Sequence, residues 1–115
     1  MKILLIKTAG FFVFFIFLSL LTQAQKVFKT SSKYDADVKV YSAGSKYDAD
    51  LVVYEVNSKY DVDKDGRWYF VDSKYDADKK IFFVSSKYDA DLIIYFASSK
   101  YDAGWRNASK KHLMR

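Results

Sequence analysis

Ser-Lys-Tyr-Asp-Ala-Asp-Leu-Val-Val-Tyr, residues 45–54, contains both parts of a unit that recurs along most of this 115-residue chain. The hexapeptide Ser-Lys-Tyr-Asp-Ala-Asp occurs six times, with Val62 for Ala in the third copy and Gly104 for the last Asp in the sixth. The copies begin at Ser32, Ser45, Ser58, Ser73, Ser86 and Ser99, at spacings of 13, 13, 15, 13 and 13 residues. Such regularity indicates one architecture of short equivalent units that must pack on one another.

The segments between the hexapeptides are rich in β-branched and aromatic residues, which favour strands. One position is always large and apolar: Val27, Val40, Val53, Trp68, Ile81 and Ile94. The next position is always aromatic: Phe28, Tyr41, Tyr54, Tyr69, Phe82 and Tyr95. We therefore predict six short strands. Because neighbouring residues in a strand point to opposite faces, both faces of the sheet are expected to be at least partly covered.

The hexapeptide is predicted to form a capped turn between strands. Ser45 and Asp48, three residues apart, follow the pattern of a capping box and are expected to close one helical turn. The second aspartate, Asp50 in this copy, fits an Asx-type turn back into the strand. The ring of Tyr47 is expected to cover the core while its hydroxyl stays in water. These features predict a mostly β fold of 13-residue repeats with capped turns.

The first 24 residues have the pattern of a secretory signal peptide. Lys2 and Lys7 precede an apolar run from Thr8 to Leu21, and small residues lead to an expected cleavage site after Ala24. A membrane anchor is the alternative, but the run is shorter than the roughly 20 residues that a span needs. We predict an exported protein with a domain at residues 25–105, a basic C-terminal tail with a solvated end at residues 106–115, and no membrane span after cleavage.

The charge of the chain belongs mostly to its two ends. The formal net charge is +5, and six of the positive charges lie at Lys2, Lys7, Arg106, Lys110, Lys111 and Arg115. The repeat region is therefore close to neutral, which argues against nucleic-acid binding. The chain contains no cysteine, so no disulfide can stabilise so small an exported domain. Stability must therefore come from packing, from a metal, from assembly or from topology, and we expect a monomer.

One candidate metal site lies where the repeat spacing is 15 residues. Asp61, Asp63, Asp65 and Asp72 with Gly66 have the spacing of a calcium-binding loop. The alternative is that Asp61 and Asp63 are the repeat's own aspartate pair, followed by an Asp-Gly turn. Calcium is the only cofactor that the sequence indicates.

Catalysis has little support in the sequence. The chain has one histidine, His112, in the basic tail, and no cysteine. The Ser, Lys and Asp residues are copied six times, as structural residues are, whereas an active site needs one asymmetric cluster. We predict no enzyme activity and no catalytic residues.

The unit Tyr-Asp-Ala-Asp followed by Leu-Val-Val-Tyr or Leu-Ile-Ile-Tyr resembles the bacterial septoil-knot family, from about Lys26 to Gly104. The resemblance implies a small, mostly β domain whose deeply wound backbone forms a seven-crossing torus knot, exported to the periplasm or beyond the cell. It implies no activity and no functional residues. The chain departs from the pattern at the two-residue excess around Lys64-Asp65-Gly66 and at Gly104.

Three functional hypotheses follow from these observations. The first is an exported structural or interaction module of unknown partner. The second is a matrix or amyloid-like fibre subunit, because near-identical strands can stack between molecules. The third is a calcium-binding or glycan-binding surface protein, in which the repeated Tyr residues would stack on sugars.

Overall fold

The computed structural model describes Gln23 and residues 25–115. Apart from Gln23, the predicted signal peptide lies outside the described residues. The described part contains seven strands: β1 (Lys26–Lys29), β2 (Val38–Ser42), β3 (Leu51–Glu55), β4 (Arg67–Phe70), β5 (Lys79–Phe83), β6 (Leu92–Phe96) and β7 (Gly104–Trp105). The six predicted strands are confirmed, and the two-residue β7 is an addition.

Each hexapeptide, called a connector below, forms a single turn of 3₁₀ helix. The turns are Lys33–Asp35, Lys46–Asp48, Lys59–Asp61, Lys74–Asp76, Lys87–Asp89 and Lys100–Asp102. In every copy the Ser hydroxyl accepts a hydrogen bond from the Tyr backbone N–H at 3.2–3.3 Å. The Ser carbonyl accepts a second bond from the N–H of the first Asp. The capped turn is therefore confirmed, with Tyr N–H as the group that the Ser side chain satisfies.

The strands β1 to β6 form a closed ring in the order β4-β1-β5-β2-β6-β3, and β3 pairs again with β4. All pairings within this ring are parallel. Strands β1 to β3 occupy alternate places, and β4 to β6 fill the places between them. The chain thus passes around the barrel twice, and its second pass is laid between the strands of the first.

The barrel interior is filled by alternate residues of each strand. The invariant apolar position, Val27, Val40, Val53, Trp68, Ile81 and Ile94, is fully buried in all six strands. The aromatic position that follows is half-buried on the outer face. Phe70, Phe83 and Phe96 pack against the core at the end where the strands finish, with ring centroids 6.3–6.5 Å apart. The prediction that both faces are at least partly covered is confirmed.

The barrel closes where the repeat is irregular. The end of β3 pairs with β4, and the start of β3 pairs with β7, which runs antiparallel to it. Gly66 precedes β4 with a φ of +87°, and a Cβ there would lie 2.5 Å from the Val52 carbonyl oxygen and 2.8 Å from the Gly104 nitrogen. The two departures from the repeat, the two extra residues before β4 and Gly104 in β7, therefore meet where β3 contacts both β4 and β7, a place called the seam below. The glycine at position 66 allows the backbones to approach closely there.

The C-terminal segment closes the end of the barrel at which the strands begin. A 3₁₀ helix, Ala108–Met114, places the Met114 side chain in the core with 1% exposure. The Lys110 ammonium donates to the Asp91 carbonyl at 2.9 Å, beside the start of β6. The expectation of a solvated end is wrong for Met114, because its apolar side chain covers the barrel interior.

Candidate binding surface

The large hydrophobic side chains that are exposed on the described chain are the connector tyrosines. Tyr34, Tyr47, Tyr60, Tyr75, Tyr88 and Tyr101 are 75–87% exposed. The expectation that their rings cover the core is wrong, because the half-buried aromatic residues of the strands already occupy the outer face of the barrel. In each copy the Nζ of the preceding Lys lies 5.3–5.6 Å from the ring centroid, within range of a cation–π contact.

The second aspartate of the connector forms two hydrogen bonds with a neighbouring strand. Its N–H donates to a carbonyl of that strand at 2.7–2.8 Å, and its carboxylate accepts the N–H of the same residue at 2.8–3.0 Å. The four pairs are Asp37–Lys80, Asp50–Ile93, Asp78–Lys26 and Asp91–Lys39. The expected Asx-type turn is thus replaced by a long-range contact, for example across 52 residues between Asp91 and Lys39. These contacts fix the C-terminal end of four of the connectors that carry the exposed tyrosines.

Grooves of 300–590 Å³ run between neighbouring connectors. The floor of each groove includes the outward aromatic residue of a strand. One wall carries the first Asp of the connector that follows this strand, and the other wall carries the Lys of the adjacent connector. Five grooves have this plan: Tyr41–Asp48–Lys87, Tyr54–Asp61–Lys100, Tyr69–Asp76–Lys59, Phe82–Asp89–Lys33 and Tyr95–Asp102–Lys46. The repeat therefore produces one amphipathic groove several times around the barrel.

The groove at the seam differs from the others. Its lining adds Asp63 and Arg67, whose side chains form an ion pair at 3.0 Å. Arg67 is buried, and its Nε has no hydrogen-bond partner within the described chain. Since Asp63 is exposed, most of its charge is solvated and the pair contributes little to stability.

The four candidate calcium ligands are not gathered into one site. Asp63 pairs with Arg67, while Asp61 and Asp72 are exposed and line two different grooves. Asp65 is partly buried beside Gly66. Across residues 25–115 and Gln23, no three carboxylate or imidazole side chains are placed to hold a metal ion. The calcium loop stays a prediction that rests on the sequence spacing.

The single histidine belongs to the C-terminal 3₁₀ helix. His112 is exposed, and its Nδ1 lies 3.0 Å from the Ser109 carbonyl oxygen of the same helix. The absence of catalysis stays a prediction. No helix within the described range has the length and apolar character required to cross a membrane.

The fold and surface together define a closed, parallel β-repeat barrel in which two passes of the chain interleave. A model of the 7(1) septoil knot domain matches residues 24–106, and the chain belongs to this family. The match confirms the resemblance noted from the repeat. No curated protein and no solved structure matches the chain.

Several features of the surface were not apparent in the sequence. The six connectors have nearly the same sequence, and nothing in that sequence distinguishes an exposed Tyr from one that packs on the core. The grooves depend on which connectors become neighbours, such as those of Asp48 and Lys87. These residues are far apart in sequence, and only the ring order brings them together.

Proposed function

We propose that the protein is an exported structural or interaction module, a knotted and kinetically stable barrel that presents many copies of one aromatic surface. The observation that carries the proposal is the set of six connector tyrosines, each 75–87% exposed with a Lys ammonium near its ring. A single exposed aromatic residue needs no explanation. The repetition of this exposure in every unit is what favours a binding role.

The connectors are suited to binding because they are already ordered. A Ser side chain caps each turn, and in four connectors the second Asp bonds to a neighbouring strand, as Asp91 does to Lys39. Little conformational entropy is therefore lost when a partner contacts the rings, which favours affinity.

The interleaved winding supports the stability part of the proposal. Both ring neighbours of each first-pass strand, β1 to β3, belong to the second pass, β4 to β6. One unit therefore cannot detach from the barrel without breaking its pairing with strands of the other pass. A high barrier to unfolding protects exported proteins from proteases, because cleavage requires an opened chain. The charged and apolar pattern of residues 1–24 supports export.

A fibre subunit has less support. Each of the strands β1 to β6 is paired on both sides, and β7 is a two-residue edge. Cross-β stacking needs open edges, so it would require the barrel to open.

The test compares two six-fold variants of the connector tyrosines, one with Ala and one with Phe at all six positions. Wild type and variants, purified as the host exports them, are sedimented with envelope fragments of the producing cells. We expect binding to weaken by about tenfold or more in the Ala variant and to persist in the Phe variant, which keeps the rings.

Thermal melting serves as the control for folding, because the replaced side chains are exposed and all three proteins should melt similarly. Equal sedimentation of the Ala variant and the wild type would show that the tyrosines have no binding role. Recovery of the protein in the cytoplasm of fractionated cells would contradict export.

A further inference from the structure

We propose that the grooves between connectors bind the pyranose rings of a neutral glycan chain. This inference rests on the proposed function and names its ligand class. The groove above Tyr41 carries the argument. Its volume is about 430 Å³, its floor includes Tyr41, and its walls include Asp48 on one side and Lys87 with Tyr88 on the other.

The rings of the groove offer a stacking surface. Tyr41 is half-buried and held by strand β2, whereas Tyr88 is 87% exposed and stands at the groove wall. The face of an aromatic ring is negative, and the C–H groups on one face of a pyranose are slightly positive. A sugar ring can therefore lie against the tyrosines without giving up its hydroxyl groups.

The polar groups of the groove match sugar hydroxyls. A hydroxyl both donates and accepts, so its recognition needs an acceptor and a donor nearby. The Asp48 carboxylate only accepts, the Lys87 ammonium only donates, and the Ser85 and Ser86 hydroxyls do both. Ligand sites usually combine apolar walls with a few polar groups of this kind.

The charge of the groove favours an uncharged ligand. Asp48 and Lys87 give one negative and one positive charge, so the wall has no net field to attract a uronate or a sulfate. The same pair occurs in the other four grooves, at Asp61–Lys100, Asp76–Lys59, Asp89–Lys33 and Asp102–Lys46. The Tyr69 groove adds Lys26, Asp72 and Asp78 and the Phe82 groove adds Lys39, so these two linings carry a net charge, whereas the linings of the Tyr41 and Tyr95 grooves are balanced.

The arrangement of grooves favours a polymer over a free monosaccharide. The Tyr41 and Tyr95 grooves both include Gly44, so they lie on two sides of one connector. A glycan chain that reaches from one groove into the next makes its second contact at a high effective concentration. Weak individual grooves can then hold a long chain firmly.

The experiment is a ¹⁵N NMR titration of the purified protein with three trisaccharides: cellotriose, triacetylchitotriose and trigalacturonate. Short ligands are used so that each groove reports separately. We expect at least one neutral trisaccharide to shift the amide signals of Ser86 and Ile93, which line the Tyr41 groove alone, and trigalacturonate to shift them less. In Tyr88→Ala the dissociation constant at this groove should rise by about tenfold.

Two comparisons distinguish sugar binding in the Tyr41 groove from a general effect of the substitution on the protein. His112 is exposed and lines none of the five grooves, so His112→Ala should leave the Ser86 shifts unchanged. In Tyr88→Ala the Ala77 amide, in another groove, should still respond to the sugar. Asp48→Asn should weaken binding while leaving the stacking residues in place.

The inference is overturned if neither neutral trisaccharide shifts these signals at millimolar concentration. It is also overturned if trigalacturonate binds more tightly, or if His112→Ala weakens binding as much as Tyr88→Ala. Envelope sedimentation distinguishes the two proposals. Binding to envelope fragments that depends on the tyrosines, without any response to the neutral sugars, would leave the interaction module intact and remove the glycan.

Discussion

At the scale of single residues, two kinds of contact hold the barrel together beyond its buried side chains. The second aspartates connect each turn to a strand of the other pass, and Gly66 allows three segments of backbone to meet at the seam. Both contacts are local in space and distant in sequence. Each can be tested against a nearby residue of the same type.

Asp91→Ala should destabilise the protein more than Asp89→Ala. The Asp91 carboxylate accepts the Lys39 N–H at 2.9 Å, and hydrogen bonds to charged groups contribute about 1.5–3 kcal/mol. Asp89 is two residues earlier, and its carboxylate is exposed. Urea unfolding of both variants measures the difference in the free energy of unfolding. Equal losses would mean that the second aspartate has no special role.

Gly66→Ala should lower the free energy of unfolding by about 1–3 kcal/mol, the cost of a strained backbone position. The added Cβ would lie 2.5 Å from the Val52 carbonyl oxygen, and the φ of +87° is unfavourable for alanine. Gly44→Ala is the matched control, since an added Cβ there has open space around it. Thermal melting compares the two, and a Gly66 variant as stable as the Gly44 variant would argue against a tight seam.

At the scale of elements, the C-terminal 3₁₀ helix is a structural part of the barrel. It lies after the last residue of the family match, yet its Met114 is buried with the core residues. The helix has few apolar residues, so most of its contribution to the hydrophobic core comes from Met114 and the adjacent Leu113. Its removal should therefore expose the barrel interior at the end where the strands begin.

Met114→Ala should destabilise the protein by about 2–5 kcal/mol, as expected for the loss of a large buried side chain. His112→Ala, two residues away and exposed, should have little effect. Differential scanning fluorimetry of the two variants provides the measurement. A Met114 variant that melts with the wild type would show that the end of the chain does not contribute to the core.

Local elements were predictable from the sequence, but their partners were not. Val40 and Tyr41 identify a strand because their types favour extended backbone, and Ser86 identifies a turn because its side chain caps one. Asp37 and Asp91 occupy the same position of the repeat, so no local property indicates that one binds Lys80 and the other Lys39. The exposure of Tyr88 and the burial of Met114 depend on how the strands and the C-terminal helix pack in three dimensions, which no local pattern indicates.

At the scale of the whole molecule, the ring order makes almost all strand contacts long-range. Lys80 and Asp37 are 43 residues apart, and Lys39 and Asp91 are 52 residues apart. Contacts over such distances can form only after large loops have closed, which slows folding. The first pass must also leave spaces that the second pass later occupies.

Refolding from urea should therefore take about a second or longer, at the slow end for domains of this size. The chain has no proline, so a slow phase cannot come from proline isomerisation. Stopped-flow measurement of tryptophan fluorescence reports the rate through buried Trp68. Complete refolding within a millisecond would contradict an assembly in which the second pass must find its places in the first.

The closed, interleaved ring also restricts how the number of repeat units in such a protein can change. An open array of repeats can gain or lose one unit at its end, because each unit contacts only its neighbours. Here every strand of the ring lies between two others, and three strands of one pass alternate with three of the next. One added unit would break this alternation and separate Gly66 from Gly104 at the seam. Closure of the ring therefore favours this number of repeats, which is kept when one unit is replaced by a copy of another.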